Sequence, residues 1–441
     1  MDPISKKENL KREIGVRALT LAILNITVGT GIFVIPAIIA ETLGTAAIVA
    51  YLVCGMLIFL IALCFAELGS KTTASGGVYT YIETAFGKYT GFIANNLYWL
   101  GACVFADAAV ANALADTLKY FFPFLDNEIF RVSFFLFLFG GFALLNIRSV
   151  KHGVRFIEFA AFGKLIPLIA LVIAGTAFVS TKNLSWVSFP TISNIGAASL
   201  LLFFAFIGLD GPLSNGGEIK NPKRTVPLGV FFGILSVLIL YISIQLVAQG
   251  ILGSTITAHK DAPLATVAGI IFGKAGIVLI VFATAISMLG NLGGEILSIP
   301  RILFAGARDG LMPKALGKIH PKFFTPHVAV LFYASLDFLL AVSGGFKQLA
   351  IISSAATLMV YLGVVLAAAK LRKTNAETSE KTFRVPGGII IPILAACAII
   401  WLLSSLTKPE FIGIAIFIFV FSLIYLAVKF LKKKKLDINA S

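Results

Sequence analysis

The stretch Asn25-Ile-Thr-Val-Gly-Thr-Gly31 lies inside the first long apolar run of the chain, which extends from Ala18 to about Glu41. It places two glycines and two threonine hydroxyls at a depth where a lipid-spanning helix would be continuous. A later apolar run contains the comparable stretch Phe204-Ala-Phe-Ile-Gly-Leu-Asp-Gly-Pro212. Because backbone groups freed inside a membrane must find partners other than bulk water, we expect both helices to be interrupted here for a functional reason.

The composition around these stretches is that of a membrane protein. Of the 441 residues, 58% are hydrophobic and 13% are charged, whereas about 25% of the residues of a typical soluble domain are charged. A soluble globular domain is therefore excluded, as are disordered, collagen-like and disulfide-rich chains. The four cysteines lie in apolar stretches without a C-x-x-C pair, which predicts neither a zinc site nor a disulfide framework.

The apolar runs predict an all-α polytopic membrane protein with twelve transmembrane helices. A span needs about 20 apolar residues. The predicted spans are 18–41, 45–67, 91–120, 129–147, 155–179, 195–217, 226–252, 263–299, 325–343, 347–369, 387–406 and 410–430.

The basic residues predict the orientation. With a cytoplasmic N-terminus, 28 of the 36 Lys and Arg residues fall on the cytoplasmic side and 7 on the opposite side. Such a bias is typical of the positive-inside rule. The net charge of +15 is therefore interpreted as cytoplasmic loop charge, and no nucleic-acid partner is expected.

The two interrupted spans are the first members of two five-span halves. Interruptions at matching positions indicate a substrate site in an inverted-repeat transporter. Helix N-termini exposed at a break suit a carboxylate, and unwound carbonyls suit an ammonium group or a sodium ion. Close packing of small residues between helices is the alternative explanation for either stretch alone.

Five ionisable side chains fall inside predicted spans, where a charge requires a cavity or a partner. Lys164 in span 5 is interpreted either as structurally paired or as a lysine that titrates a proton or takes the place of a cation. Asp210 adjoins the second break, which favours a role in gating or in the site. Glu295 follows a glycine-rich turn with room for a ligand, and Asp107 lies in span 3. Asp337 has little local support and is expected to be structural or lumen-facing.

Signatures of catalysis are missing from the sequence. It contains no G-x-S-x-G, H-E-x-x-H or G-x-x-x-x-G-K-[ST] motif, so neither an enzyme nor a cofactor is expected. The pair of broken helices argues against a channel. A scaffold or sensor that uses a transporter fold stays open.

Four segments together resemble the amino acid–polyamine–organocation superfamily of permeases. Gly29-Thr-Gly-Ile-Phe33 looks like the glycine-rich signature of its first span, and Ser75-Gly-Gly-Val-Tyr-Thr-Tyr81 resembles its first cytoplasmic loop. Glu218-Ile-Lys-Asn-Pro-Lys-Arg-Thr-Val-Pro227 is similar to its signature between spans 6 and 7, and Pro300 to Pro313 resembles its loop after span 8.

The resemblance implies the LeuT-type fold, with two inverted five-helix repeats and discontinuous helices 1 and 6. A multi-pass protein of the cell membrane is expected, and the distribution of basic residues with an even number of spans predicts that both termini are cytoplasmic. The expected organisation is a cytoplasmic N-terminal tail at 1–17, repeats at 18–180 and 193–371, two accessory helices at 387–430 and a basic C-terminal tail at 431–441.

The resemblance also implies where a substrate would bind. The backbone of the first break would hold an α-carboxylate, and carbonyls of both breaks would hold an α-ammonium group. The residues implied for the carboxylate are Val28, Gly29, Thr30 and Gly31, and those implied for the ammonium group are Thr27, Phe204 and Ile207.

Four side chains receive further roles from the same resemblance. Phe204 would be the aromatic lid of the site, and Asp210 would belong to the gate. Lys164 matches a lysine that some members place where sodium-coupled relatives hold sodium, which favours proton coupling or exchange. Glu295 stands where the arginine/agmatine exchangers carry an aromatic pocket residue, and Asp107 lies near an expected asparagine.

The expected function is secondary active transport of an amino acid by alternating access, with proton-coupled symport or exchange. The alternative is an antiporter of polyamines, cationic amino acids or amines. The expected partners are the amino acid substrate, protons and the lipid bilayer; the oligomeric state stays open. The two acids near the pocket would either favour a cationic side chain or, with one of them protonated, hydrogen-bond a neutral substrate. A neutral or broad specificity is slightly favoured.

Overall fold

The structure is a computed structural model that describes residues 12–71, 78–148, 150–186, 188–213, 218–308, 312–374, 384–385 and 387–440. For residues 71, 150–162, 373–374 and 431–440 it describes the backbone alone. Part of the predicted N-terminal tail and part of the end of span 6 lie outside the described residues. The same holds for the loop segments 75–77 and 309–311 and for the side chains of the basic C-terminal tail.

The regular secondary structure of the described residues is helical, apart from an isolated bridge between Ile14 and Ile219. This confirms the predicted all-α class. The helices are α1 (Val16–Thr27), α2 (Gly31–Leu43), α3 (Ile48–Lys71), α4 (Val78–Phe86), α5 (Lys88–Asn96), α6 (Phe105–Leu118), α7 (Glu128–Arg148), α8 (Val150–Gly175), α9 (Ile192–Leu202), α10 (Asp210–Leu213), α11 (Pro222–Leu252), α12 (Pro263–Arg308), α13 (His327–Ser343), α14 (Phe346–Thr374), α15 (Ile390–Leu403) and α16 (Lys408–Ala440).

The lengths and surfaces of these helices suit a bilayer. Seven helical stretches in the described residues are long and apolar enough to cross a membrane, and five shorter apolar helices accompany them. Large apolar side chains such as Phe137, Ile173 and Phe419 point outwards, where lipid tails would solvate them. The chain is therefore a multi-pass membrane protein.

Both predicted interruptions are present. The first helix stops at Thr27 and resumes as α2 at Gly31. The sixth predicted span runs through α9 and a 3₁₀ turn, Phe203–Phe206, before Gly208 adopts a φ of +120° and α10 begins. That backbone conformation is strained for residues with a Cβ, so the glycine permits the break.

Two other spans depart from a regular α-helix. The predicted single span 263–299 bends at Gly273, which has a φ of +67°, and then continues as far as Arg308. In the third span, the segment Leu97–Val104 between α5 and α6 is π-helical. Such insertions are frequent at functional sites, and this one directly precedes the helix that carries Asp107.

The packing of the helices places the two breaks next to each other. α1 and α3 pack along α11, and α2 contacts α9. On the other side, α6 packs against α12, α13 and α14, while α8 lies along α12. The breaks are consequently enclosed by α11 on one side and by α12 and α14 on the other.

Candidate functional site

One tyrosine joins the two interrupted helices. The Tyr241 hydroxyl on α11 lies 2.8 Å from the Thr27 carbonyl oxygen, at the end of α1, and 2.8 Å from the Ala205 carbonyl oxygen, in the 3₁₀ turn after α9. The side chain is completely buried. Both carbonyls are at positions where a regular helix ends, so the hydroxyl replaces lost backbone partners.

Two of the four amides expected to bind a carboxylate already have partners. The Val28 amide donates to the Leu24 carbonyl at 3.0 Å, and the Gly29 amide donates to the Thr27 carbonyl at 2.7 Å. In this conformation they close the end of α1.

The other two of these four amides have no hydrogen-bond partner among the described residues. The amides of Thr30 and Gly31, at the N-terminus of α2, find no acceptor among the described residues. Three buried side-chain oxygens beside them also have no partner in the described part of the chain: Asn25 Oδ1, Thr27 Oγ1 and Thr30 Oγ1. A buried polar group without a partner costs about 1–3 kcal/mol, so this end of α2 is suited to a polar ligand.

The three carbonyls expected to bind an ammonium group differ in availability. The Thr27 carbonyl accepts from both the Gly29 amide and the Tyr241 hydroxyl. The Phe204 carbonyl accepts a long hydrogen bond of 3.5 Å from the Ile207 amide. The Ile207 carbonyl accepts none from the described residues, and this residue is partly exposed.

The Phe204 ring is buried beside the breaks. It packs edge-on against Phe346, at the start of α14, with ring centroids 5.7 Å apart. A ring in this position can cover a ligand held between the two breaks. The sequence did not single out Phe346, because the two residues are 142 positions apart.

Lys164 contacts the first break through its head group. Its Nζ donates to the Asn25 carbonyl oxygen at 2.6 Å, and the residue is 8% exposed. This carbonyl lies in the last turn of α1, where intrahelical donors run out. The lysine therefore ties α8 to the end of α1.

Asp210 is the first residue of α10 and is bound from two sides. The Tyr361 hydroxyl on α14 donates to Asp210 Oδ1 at 2.6 Å, and the Tyr98 hydroxyl interacts with the same carboxyl. The group joins α10 to α14 and to the π-helical segment. Opening at this point would require both tyrosines to release the carboxyl.

Three further carboxyls form a cluster behind the breaks. Asp107 on α6 interacts electrostatically with Glu295 on α12 and Asp337 on α13. The Tyr333 hydroxyl donates to Asp107 Oδ2 at 3.0 Å, and the Cys103 thiol lies beside Glu295. Of the two expectations for Asp337, structural or lumen-facing, the second is wrong, because the residue is 0% exposed.

Asn291 also belongs to the site and was missed in the sequence. A Cβ placed on Gly29 would lie 3.5 Å from Asn291 Nδ2, so this amide of α12 faces the first break. Its only sequence signal was its position one turn before Glu295. Within the described residues, no group of three His, Cys, Asp or Glu side chains is arranged to hold a metal ion.

The sequence of this chain is similar to the sequences of known proteins. The family model described as "Amino acid permease" matches residues 14–441. A branched-chain amino acid permease of Bacillus subtilis is 29% identical over 98% of this chain and 95% of its own. A serine/threonine exchanger of the same organism is 30% identical, over 94% of this chain and 96% of its own.

A third relative shows the chemical range of the group. The methylthioribose transporter of Bacillus subtilis is 28% identical over 96% of this chain and 94% of its own. All three relatives match along nearly their whole length and have transport names. Because the family model covers almost the entire chain, the chain belongs to the amino acid permease family, within the amino acid–polyamine–organocation superfamily of membrane transporters.

Proposed function

We propose that the protein is a secondary active transporter that moves a neutral α-amino acid across the cell membrane by alternating access. The observation that carries the proposal is the first break: the Thr30 and Gly31 amides and three buried side-chain oxygens of residues 25–30 have no hydrogen-bond partner among the described residues. A carboxylate would satisfy these amides at a helix N-terminus, where the helix dipole favours negative charge.

The proposed binding mode follows from which groups are already engaged. The substrate carboxylate contacts the Thr30 and Gly31 amides, while the Val28 and Gly29 amides shape the turn. The α-ammonium group contacts the carbonyls of the second break, with Ile207 the most accessible of them. Phe204 then covers the ligand, and Asp210 closes the path between α10 and α14.

The proposed architecture is the LeuT-type arrangement of twelve transmembrane helices, with repeats at 18–180 and 193–371. It is supported by interruptions at corresponding positions of the two halves, at 28–30 and at 207–209. Both termini are proposed to be cytoplasmic, because the basic residues concentrate on that side.

The proposed coupling ion is the proton. Lys164 Nζ already donates to the Asn25 carbonyl at the end of α1. An ammonium group at that carbonyl takes the place that a sodium ion would need. Symport with protons and exchange of one amino acid for another are both compatible with this arrangement.

The two amino acid relatives support a neutral substrate, since their names refer to branched-chain amino acids and to serine and threonine. The second candidate is an antiporter of cationic amino acids or amines. It is favoured by Glu295, a partly exposed residue of α12 whose carboxyl interacts electrostatically with Asp210 at the second break.

Counterflow in proteoliposomes tests the proposal. Liposomes loaded with leucine, threonine, arginine, putrescine or methylthioribose are diluted into a trace of the same labelled compound. We expect accumulation with leucine or threonine and none with putrescine, which lacks a carboxylate. Accumulation with arginine and putrescine alone would replace the proposal by the cationic antiporter, and accumulation with none of the amino acids would refute both.

A further inference from the structure

Substrate binding at the two breaks does not explain why the carboxyls of Asp107, Glu295 and Asp337 are grouped inside the membrane region. The three carboxyls come from three different helices, α6, α12 and α13, and interact electrostatically with one another. Asp107 and Asp337 are 1% and 0% exposed. A substrate held between the breaks contacts neither of these two side chains unless the helices separate.

The hydrogen bonds of the cluster are incomplete. Neither oxygen of Asp337 has a partner in the described part of the chain, and Asp107 Oδ1 has none either. Asp337 is thus a buried carboxyl without a hydrogen-bond partner among the described residues, and it interacts electrostatically with Glu295. A carboxylate buried without donors or a counter-ion costs several kcal/mol, so such a group is far more stable uncharged.

Among the described residues, the surroundings of the cluster supply no positive charge. The ionisable groups that interact with the three carboxyls from the π-helical segment and from α10 and α13 are phenols, a thiol and an acid. They are Tyr98, Cys103, Tyr333 and Asp210. No Lys, Arg or His among the described residues contributes to the electrostatics of the three carboxyls. Lys164 donates to the Asn25 carbonyl instead.

The cation that fits this cluster is the proton. Within the described residues, these carboxyls do not converge as the ligands of a metal ion would. The burial of Asp107 and Asp337 also leaves no access for an ammonium group. A proton needs neither a coordination sphere nor a cavity, and like charges confined in one site favour retention of protons.

We propose that Asp107, Glu295 and Asp337 form a proton-binding site in the membrane, separate from Lys164, in which at least one carboxyl remains protonated at neutral pH. Glu295 exchanges protons with the site between the breaks, because it is the one residue of the three that keeps accessible surface. Asp337 and Asp107 store the proton behind it. The role of this proton in transport rests on the proposed function, whereas its presence does not.

Infrared spectroscopy of the purified protein in nanodiscs tests the site without any transport. Exposed Asp and Glu are ionised at about pH 7, since their ordinary pKa values are near 4. We expect the wild type to show the C=O stretching band of a protonated carboxylic acid at this pH. We expect the band to weaken or shift in Asp337→Asn and in Asp107→Asn, because each removes one carboxyl of the cluster, and to be unchanged in the control Asp126→Asn, whose side chain is 70% exposed.

Two cluster variants are used so that the test can still be made if one of them fails to fold. Size-exclusion chromatography shows whether each variant is folded. A wild type without the band, or a band that is unchanged in both cluster variants, would overturn the proposal. Arginine binding that requires Asp337 in a protein without the band would identify a site for cationic side chains instead.

Uptake into proteoliposomes tests the role in transport separately. We expect Asp337→Asn to lose the stimulation of uptake by an acidic external solution, while exchange at equal pH continues. Retained stimulation in this variant would overturn the assignment of this proton to coupling. A protein that shows the band but transports no amino acid would refute only the proposed function.

Discussion

At Gly31 the fold has no room for a side chain. A Cβ at this position would lie 2.6 Å from the Ala205 Cβ and 2.7 Å from its Cα. Any substitution must therefore push α2 away from the 3₁₀ turn of the second break, because a backbone atom cannot turn aside as a flexible side chain can. The residue holds the two breaks in contact and also presents a free amide.

We predict that Gly31→Val abolishes the rise in melting temperature that substrate gives the wild type in detergent. Overpacking of this kind costs about 1–3 kcal/mol of stability, so the variant should still fold. Gly140→Val is the matched control, since no atom lies within 4 Å of a Cβ at Gly140. Stabilisation of Gly31→Val by substrate to the wild-type extent would refute the binding role of the first break.

The lysine at the first break gives a second prediction at this scale. Lys164→Met removes the donor to the Asn25 carbonyl, and a hydrogen bond from a charged group contributes about 1.5–3 kcal/mol. We expect a loss of thermal stability of that order and the loss of proton-stimulated uptake. The exposed Lys182→Met should change neither.

The same assignment makes a prediction for the wild type. Uptake should be unchanged when sodium is replaced by choline at constant pH, because the proposed function assigns the place of a sodium ion to the Lys164 ammonium group. The measurement is the initial rate of uptake into proteoliposomes. A rate that collapses in choline would show that the assignment of the proton as the coupling ion is wrong.

At the scale of elements, α11 acts as the support of both interrupted helices. Its residue Tyr241 contacts the end of α1 and the turn after α9 through one hydroxyl. One hydroxyl has one proton to share between two carbonyls. Any movement of one break relative to the other therefore changes this contact first.

We predict that Tyr241→Phe lowers stability by about 1–3 kcal/mol, because two buried carbonyls lose a donor, and raises KM for substrate. Thermal unfolding and uptake kinetics measure the two effects. Tyr89→Phe is the control: its hydroxyl bonds the Ser422 hydroxyl at 2.7 Å at an exposed position. Equal behaviour of the two variants would assign α11 a purely packing role.

At the scale of the whole molecule, an ion pair closes one end of the helix bundle. Glu67 on α3 accepts hydrogen bonds from Arg372 on α14, with Nε 2.8 Å from both oxygens and a further contact through Nη2. The Val385 amide donates to the same carboxyl at 3.1 Å. The contact connects α3, α14 and the segment before α15.

We predict that Arg372→Met destabilises the protein by about 3–5 kcal/mol, since removing one partner of a buried ion pair leaves the other charge without its counter-ion. The double variant Glu67→Gln/Arg372→Met should regain part of that loss. Melting temperatures in detergent give the comparison. A double variant less stable than the single one would show that the pair contributes through packing alone.

The orientation in the membrane gives the last prediction at this scale. Three of the four cysteines are buried and only Cys397 is exposed, so a Cys397→Ser background is suitable for labelling. In intact cells a membrane-impermeant maleimide should label Lys182→Cys and spare Lys318→Cys until the cells are opened. The reverse pattern would place both termini outside.

Much of the fold was determined by the sequence alone. The apolar runs predicted the all-helical membrane class, because hydrocarbon tolerates only backbone that is satisfied within its own helix or barrel. The breaks near Gly29 and Gly208 were also predicted, because glycine, proline and polar side chains in the middle of an apolar run are local features of the sequence. The bend at Gly273 was missed because a lone glycine inside a helical pattern is usually tolerated.

The tertiary structure alone decided which distant groups meet. Tyr241 contacts Thr27 across 214 positions, and Tyr333 contacts Asp107 across 226. A single sequence shows that Asp107, Glu295 and Asp337 are costly inside a membrane, but not that they share one site, since helical periodicity leaves the rotation of each helix unspecified. Packing of α6, α12 and α13 sets that rotation, and with it the difference between three isolated acids and one cluster.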